Sequence, residues 1–428
     1  MNQKTLPIDA HSRAQLAEGG LRMDLVDTDD KPTFDAWLQS ATRGFHGGAH
    51  GDELLAAVTS SIDYRRTTGV WDDTASDALT PVGTVDSFVS PLTVPGGRDL
   101  PAWAISMVTV APTHRRRGIA RELLESELRA ATALGVPIAM LTVSESTIYQ
   151  RFGFAPAALA ATITIDTKRA RFVGRVPDGR VQLIDIEPAR ALIDELYVKG
   201  RLASPGEIEV WPRRWDQIFG IADEKDVSKR PRAARYDDAD GVTQGVVVYR
   251  MKETGGFETH TAQVEYLTAN TPDAYAALWR FLLELDLTNT VTAELRSVDE
   301  PVRWLINDFR SMKVETYDHL WLRILDVPAA LNAREFFAPL DFVIEVSDTL
   351  GHAAGRYHLG SVVEHVEHVE TAPALTLSIN DLSAIYLGGV SATTLQQAGR
   401  IAEHEAGSVA QLDAAFTSPT TPWLSVWF

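Results

Sequence analysis

A strand, turn and helix in the first third of the chain restrict its fold more than any other feature. Met107-Val108-Thr109-Val110 is a β-branched run that stops at Ala111-Pro112, because proline has no N–H with which to continue a ladder. Four turn residues, 113–116, lead into a helix whose apolar positions Ala120, Leu123, Leu124, Leu128, Ala131 and Leu134 recur at helical spacing, with Gly135 as the stop. At the helix start Gly118 and Ala120 keep the surface bare. Successive N–H groups there point outward with the positive end of the helix dipole, which makes a cradle for a pyrophosphate. Arg115, Arg116 and Arg117 add charge-assisted hydrogen bonds to phosphate. Neither Gly-x-Gly-x-x-Gly nor Gly-Lys-Ser/Thr is present, so the loop is not of the Rossmann or Walker kind.

Around this motif the pattern is that of α/β units, and 428 residues are too many for one ordinary core. Three domains are expected: 1–158, 159–317 and 318–428. The first has helices over 33–43 and 52–62 and strands over 68–71, 82–89, 102–110 and 138–143, with a tight turn at Pro95-Gly96-Gly97. The second opens on a strand over 161–166, continues with another over 245–249 and has an amphipathic helix over 272–285. Its order echoes the first, yet no Arg-x-x-Gly-x-Ala recurs, as in a duplicated fold that kept its scaffold and lost its cofactor loop. The third begins with a strand at 320–325 and a Pro-initiated helix. Strands over 342–346 and 375–379, then helices over 381–386 and 391–402, follow. The chain ends Trp423-Leu424-Ser425-Val426-Trp427-Phe428, too apolar to lie in solvent.

Composition removes several function classes. With no cysteine there is no disulfide, thiolate nucleophile or zinc-thiolate site. A net charge of −18 opposes nucleic-acid binding and suits a cationic small molecule. Half of that charge falls in 318–428, with thirteen Asp or Glu against four arginines. No apolar run is long enough to span a bilayer. Residues 1–20 resemble neither a signal nor a transit peptide and read as a partly disordered lead-in to a cytoplasmic protein. The run Val363-Glu364-His365-Val366-Glu367-His368-Val369-Glu370 has poor spacing for metal ligands and reads as a solvated strand or turn, so no metal is expected.

Strand, Val-x-Pro turn, Arg115-x-x-Gly118-x-Ala120 and amphipathic helix together resemble the acetyl-coenzyme A motif of the GNAT-superfamily N-acetyltransferases. Val108, Thr109, Val110, Arg115, Arg116, Arg117, Gly118, Ile119, Ala120 and Arg121 are then the cofactor-binding candidates. Ser144 and Glu145 join them from the turn after the strand at 138–143. Tyr149, on a short helix over 148–152 that ends at Gly153-Phe154, matches the tyrosine that protonates the departing thiolate in that superfamily. Phe45, Phe88 and Met107 are substrate-contact candidates. Leu92-Thr93-Val94-Pro95-Gly96, the run Val110 through Gly118, Ser144-Glu145, Ile148-Tyr149 and Arg151-Phe152-Gly153 narrow the resemblance to the Eis (enhanced intracellular survival) family, which acetylates aminoglycosides and lysine side chains. Trp321-Leu322-Arg323, Val327 through Leu331 and Ser383 through Gly388 extend it over nearly the whole chain.

The resemblance implies two GNAT-like mixed-sheet domains, the second without cofactor, followed by a sterol-carrier-like α+β domain, in a homo-hexamer. It implies acetyl-CoA as cosubstrate, a small-molecule or peptide amine as acceptor, and the terminal carboxylate, here that of Phe428, in the active site. An α-carboxylate ordinarily titrates at ~3.3–3.7, so action as a base, through water, or as a holder of the ammonium all stay open. The alternative of another class is a lipid-binding or scaffold protein with a degenerate acetyltransferase domain.

Overall fold

The computed structural model describes residues 3–222, 230–256, 259–360 and 365–428. The chain forms two compact units. The first is Met1–Ala157 with Leu320–Ser418 and Trp427–Phe428; the second is Ala158–His319 with Pro419–Val426.

In the first unit the strands are β1 (Arg22–Leu25), β2 (Arg66–Trp71), β3 (Gly83–Val94), β4 (Arg98–Val110) and β5 (Ile138–Thr142), adjacent in that order. Leu320–Ile324 pairs antiparallel with the far side of β5. Strand β3 runs past residue 89, where its alternation ends, to the turn at Gly96 and Gly97. Both glycines have positive φ there, and Gly97 N–H closes onto the Val94 carbonyl at 3.2 Å.

Four helices clothe this sheet: α1 (Ala10–Glu18), α2 (Lys31–Gly44), α3 (Asp52–Ile62) and α4 (Ile119–Ala133). On one side Leu123, Leu124, Leu128 and Ala131 of α4 are fully buried with Trp103, Leu141 and Phe154. Burying a Leu of this kind contributes ~1.5–3 kcal/mol. On another, Phe34, Trp37 and Leu38 of α2 pack with Leu55 and Ile62 of α3. Glu127 of α4 is also buried and accepts from Trp103 Nε1 at 3.2 Å and Arg66 Nε at 3.3 Å. It thus escapes the cost of an unpaired buried charge.

Within the stretch 1–20, expected to be partly disordered, Ala10–Glu18 is helical as α1. Asp9 caps it by accepting from Ser12 N–H at 2.9 Å, Leu16 is buried, and Ser12 Oγ donates to Glu122 at 2.9 Å. Composition gives little sign of this, because its apolar anchorage rests chiefly on one leucine.

The same unit carries a five-stranded sheet in the order His365–His368, Gly355–Gly360, Asp341–Ser347, Leu375–Ser378, Ala402–Glu403. The helix expected over 391–402 ends at Gln397. Gly399 turns the chain at φ 73° and Ala402–Glu403 pairs with Leu375–Thr376. The helix expected at 381–386 is Ile379–Ile385, opened by a Ser378–Asp381 capping box. In the His/Glu run, 365–368 forms an edge strand, and 363–364 lie outside the described residues.

The strands of the second unit are β7 (Arg180–Ile184), β8 (Arg232–Asp237), β9 (Thr243–Glu253), β10 (His260–Ala269) and β11 (Thr288–Arg296), together with residues 158–166 of β6 (Ala155–Asp166) and 312–319 of β12 (Met312–Ile324). Six of them lie in the order β6-β11-β10-β9-β8-β7. Helices α6 (Ile186–Arg201) and α7 (Pro212–Ile218) precede α8 (Pro272–Leu283), which buries Leu278, Trp279 and Leu282 against Val247, Tyr249 and Val264. Helix α8 stops two residues short of its expected end. No helix among the described residues is long and apolar enough to cross a membrane.

Candidate active site

The first unit opens its own groove. Strands β4 and β5 are parallel but pair only through Ala102–Ile138, Trp103–Ala139 and Ala104–Met140. Beyond Ala104 and Met140 they run on to Val110 and Thr142 without pairing, so their facing edges diverge and leave backbone groups for a guest. A β-bulge lies just where they part. Thr84 faces Thr109 and Asp86 faces Ser106, so Met107 and Val108 stand opposite Val85 alone. Met107 takes φ 52°, an unusual region for a side chain of its bulk, and strain of this kind clusters at functional sites.

A groove of about 530 Å³ lies at the diverging end. Val108, Thr109 and Val110 line it from β4; Arg115, Arg116, Gly118, Ile119, Ala120 and Arg121 from the turn and first turn of α4; and Ser144, Glu145 and Tyr149 from beyond β5. Gly118 is the N-cap of α4 at φ 79°, in the left-handed region that costs a residue with Cβ ~1–2 kcal/mol. Arg116 already spends one such conformation at φ 64°. Together they turn the chain so that the first N–H groups of α4 front the groove. Ala120, read as part of the apolar face, is only half-buried because it lines this groove instead.

Arg117 is the one cofactor candidate that does not line the groove. Its guanidinium donates to Asp72 Oδ2 at 3.2 Å and to the Gly19 carbonyl at 2.7 Å. Asp72 also contacts His114 Nε2 at 3.1 Å and sits well below the usual carboxylate range. Thr74 is the first cause, followed by His114 and Arg117. The three arginines therefore divide: two face the groove and the third braces the turn.

Tyr149 closes α5 (Ser146–Tyr149), which tightens into Gln150–Phe152 and stops at Gly153, φ 85°. Glycine is required there twice over, since a Cβ would stand 2.4 Å from Arg323 Nε. Arg323 is buried, donates to the Phe152 carbonyl at 2.8 Å and pairs with Asp348 at 2.6 Å. The tyrosine helix is thereby pinned by a residue far away in sequence. Tyr149 is 8% exposed, and burial first, then the Glu145 charge, raises its hydroxyl above its ordinary value. The ring packs edge-on to Phe154 at 6.3 Å.

At the end of β5, Thr142 Oγ1 donates to a Phe428 terminal oxygen at 3.0 Å. The Phe428 ring meets Phe88 edge-on at 6.2 Å, and the Arg65 guanidinium lies over the Phe88 ring, 4.2 Å from its centroid. Phe45, 49% exposed, lines the groove from the end of α2, whereas Met107 packs at the bulge beside the α2–α3 core. Sequence reasoning passed over Thr142, which stands in an ordinary strand pattern. It also passed over His114 and Arg151, which line the groove. Among the described residues no group of three or more His, Asp or Glu could hold a metal ion.

Comparison with known proteins agrees with this architecture. Residues 28–157 and 206–324 each match a GNAT acetyltransferase domain, and 327–425 match a sterol carrier protein domain. The chain is 37% identical over 402 residues to an uncharacterized N-acetyltransferase of Streptomyces avermitilis, covering 91% of this chain and 95% of that one. It is 33% identical over 338 residues to the N-acetyltransferase Eis of Mycobacterium tuberculosis, covering 76% and 81% respectively. The crystal structure of Eis1 from Mycobacterium abscessus superposes with a TM-score of 0.81 at 30% identity, over 95% of this chain and all of the other. A GCN5-related N-acetyltransferase from Anabaena variabilis, at 18% identity and a TM-score of 0.78, shares the fold.

Proposed function

The chain belongs to the Eis family of GNAT-superfamily N-acetyltransferases, and on that premise we propose that it acetylates amines of polycationic small molecules, aminoglycoside-like, or lysine side chains. GNAT domains use acetyl-CoA, and the residues of the first groove suit it. A bare helix start fronted by Arg115 and Arg116 matches a pyrophosphate, and the diverging edge of β4 matches the amide-bearing pantetheine arm. Tyr149 acts as general acid and the Phe428 carboxylate as base or ammonium holder. The observation that carries this reading is the anchoring of the Phe428 carboxylate by Thr142, three residues before the groove-lining Glu145.

In the reaction, the carboxylate of Phe428 orients the acceptor ammonium and receives its proton, directly or through water. The free amine attacks the thioester carbonyl. Backbone N–H groups at the bulged Val108–Val110 end of β4 stabilise the oxyanion; collapse expels the thiolate, which takes the Tyr149 proton, and the second proton of the attacking nitrogen is released to water, from which the tyrosine is reprotonated. Hydrogen bonds of this kind are worth most where charge appears only in the transition state. No covalent enzyme intermediate is needed, in keeping with a chain that has no cysteine. The boundaries 1–158, 159–317 and 318–428, a homo-hexameric assembly and a cytoplasmic location belong to the same reading. Sedimentation and cell fractionation test the last two. The test of the reading as a whole is thiol release from acetyl-CoA with a panel of polyamines, aminoglycosides and lysine peptides. Turnover with members of that panel supports it, and none with any of them refutes it.

A further inference from the structure

The second unit repeats the geometry that opens the first groove. Strands β10 and β11 are parallel and pair from His260–Thr288 to Val264–Ala293, then run on unpaired to Ala269 and Arg296. A bulge again marks the parting: Val264 and Tyr266 face Tyr249 and Val248, leaving Glu265 as the extra residue. Helix α8 follows β10 as α4 follows β4. At the mouth of this second divergence lies a cavity of about 370 Å³.

Its chemistry is the reverse of the first. Helix α8 starts with Pro272 at its first position and with the Thr271 side chain taking the Ala274 N–H, so one N–H is missing and another is already used, and Asp273 adds a negative charge to the first turn. Arg296, which lines the cavity, donates to Glu300 at 2.9 Å and to the Leu267 carbonyl at 3.1 Å, and lies 4.9 Å over the Trp423 ring. Its charge is therefore already answered. Glu207 is 3% exposed, and its hydrogen-bond donors among the described residues are neutral: the Tyr197 hydroxyl at 2.9 Å and the Ser425 N–H at 3.4 Å. Asn270, also in the lining, has both side-chain polar atoms buried without a partner among the described residues. A buried carboxyl whose hydrogen-bond donors are all neutral, with Arg201 of the same lining acting on it only as the weakest of its influences, an amide oxygen to spare and the rings of Tyr197, Tyr266 and Trp423 are what an ammonium group requires.

We propose that this cavity is a binding site for a small organic ammonium ion, held by Glu207 and the Asn270 carbonyl oxygen beneath those aromatic rings, and separate from the acetyl-transfer groove. The inference does not depend on the proposed acetylation chemistry.

Binding should be proton-linked. Burial, chiefly, raises the Glu207 carboxyl to about 7, against hydrogen bonds from Ser425 and Tyr197 and the weaker pull of Arg201. Tyr266 faces the same carboxyl and stays neutral. A cation needs the ionised form, so affinity rises with pH through 7. Between pH 6 and pH 8 it should increase about tenfold for a single group titrating near 7.

The test is to soak crystals of the full chain in 4-bromobenzylammonium and locate bromine by anomalous scattering. The expected result is a peak in this cavity at pH 8, titrating to an apparent Kd about tenfold weaker at pH 6, and lost in Glu207→Gln. If that variant fails to fold, the wild-type pH comparison decides alone. An empty cavity at pH 8, pH-independent occupancy, or equal occupancy by neutral 4-bromobenzyl alcohol would overturn the proposal.

Discussion

Replacing the terminal carboxylate of Phe428 by a carboxamide, through ligation of a synthetic tail, changes one charge and no apolar contact. Thr142 Oγ1 can still donate to the remaining carbonyl oxygen at the 3.0 Å now seen, and the edge-on contact with Phe88, an aromatic pair of the kind worth ~0.5–1.5 kcal/mol, is untouched. Thermal stability should therefore stay within about 1 °C. What is lost is the charge that orients the acceptor ammonium. A hydrogen bond to a charged group contributes ~1.5–3 kcal/mol, which is about 10- to 150-fold in kcat/KM. Adding two glycines after Phe428 moves the charge by up to ~7 Å, and the same loss is expected. The assay is release of free coenzyme A thiol; a chain with no cysteine contributes no background. Calorimetry of acetyl-CoA supplies the control, because the cradle at Arg116–Ala120 should keep its affinity. An amidated enzyme with full kcat/KM would show that the terminus only packs, and the proton path would have to be reassigned.

Tyr149→Phe should lower kcat by ~10²–10⁴ with little change in acetyl-CoA affinity, and an undiminished kcat would remove Tyr149 from the mechanism. Because burial raises its hydroxyl above 10.0, the protonated acid persists past that pH. An alkaline limb of kcat falling well below pH 10 would then belong to another group. Gly118→Val, which forces a β-branched residue to φ 79°, should weaken acetyl-CoA binding by about 1–2 kcal/mol or more, read by calorimetry; unchanged affinity would mean that the turn does not shape the cradle. Titration of acetyl-CoA should give one site per chain, since the helix after β4 starts on Gly118 whereas the one after β10 starts on Thr271 and Pro272, and two equal sites would contradict this. Arg323→Met strands the Asp348 carboxylate and should cost ~3–5 kcal/mol of stability, measured by denaturant unfolding.

The sequence by itself determined whatever is written locally. The proline that halts β4, the glycine that starts α4, the helical spacing of Leu123, Leu124 and Leu128, and Tyr149 before Gly153 each report a backbone constraint within a few residues of themselves. That is why the cofactor groove was legible in the chain. Helix α1 was not, because Leu16 and Ser12 find their partners far along the sequence. Nor was the division of the three arginines, since identical neighbours carry no signal of which one meets Asp72. Thr142 gains its meaning only when residue 428 returns to β5, 286 positions away in sequence. The pairing that stops at Ala104 and Met140, and again at Val264 and Ala293, is a property of two strands together. So is the burial of Glu207 among neutral donors. Local propensity can place a strand, a turn or a cap; the edge a strand leaves unpaired, and the charge a cavity leaves unanswered, exist only once distant segments have packed.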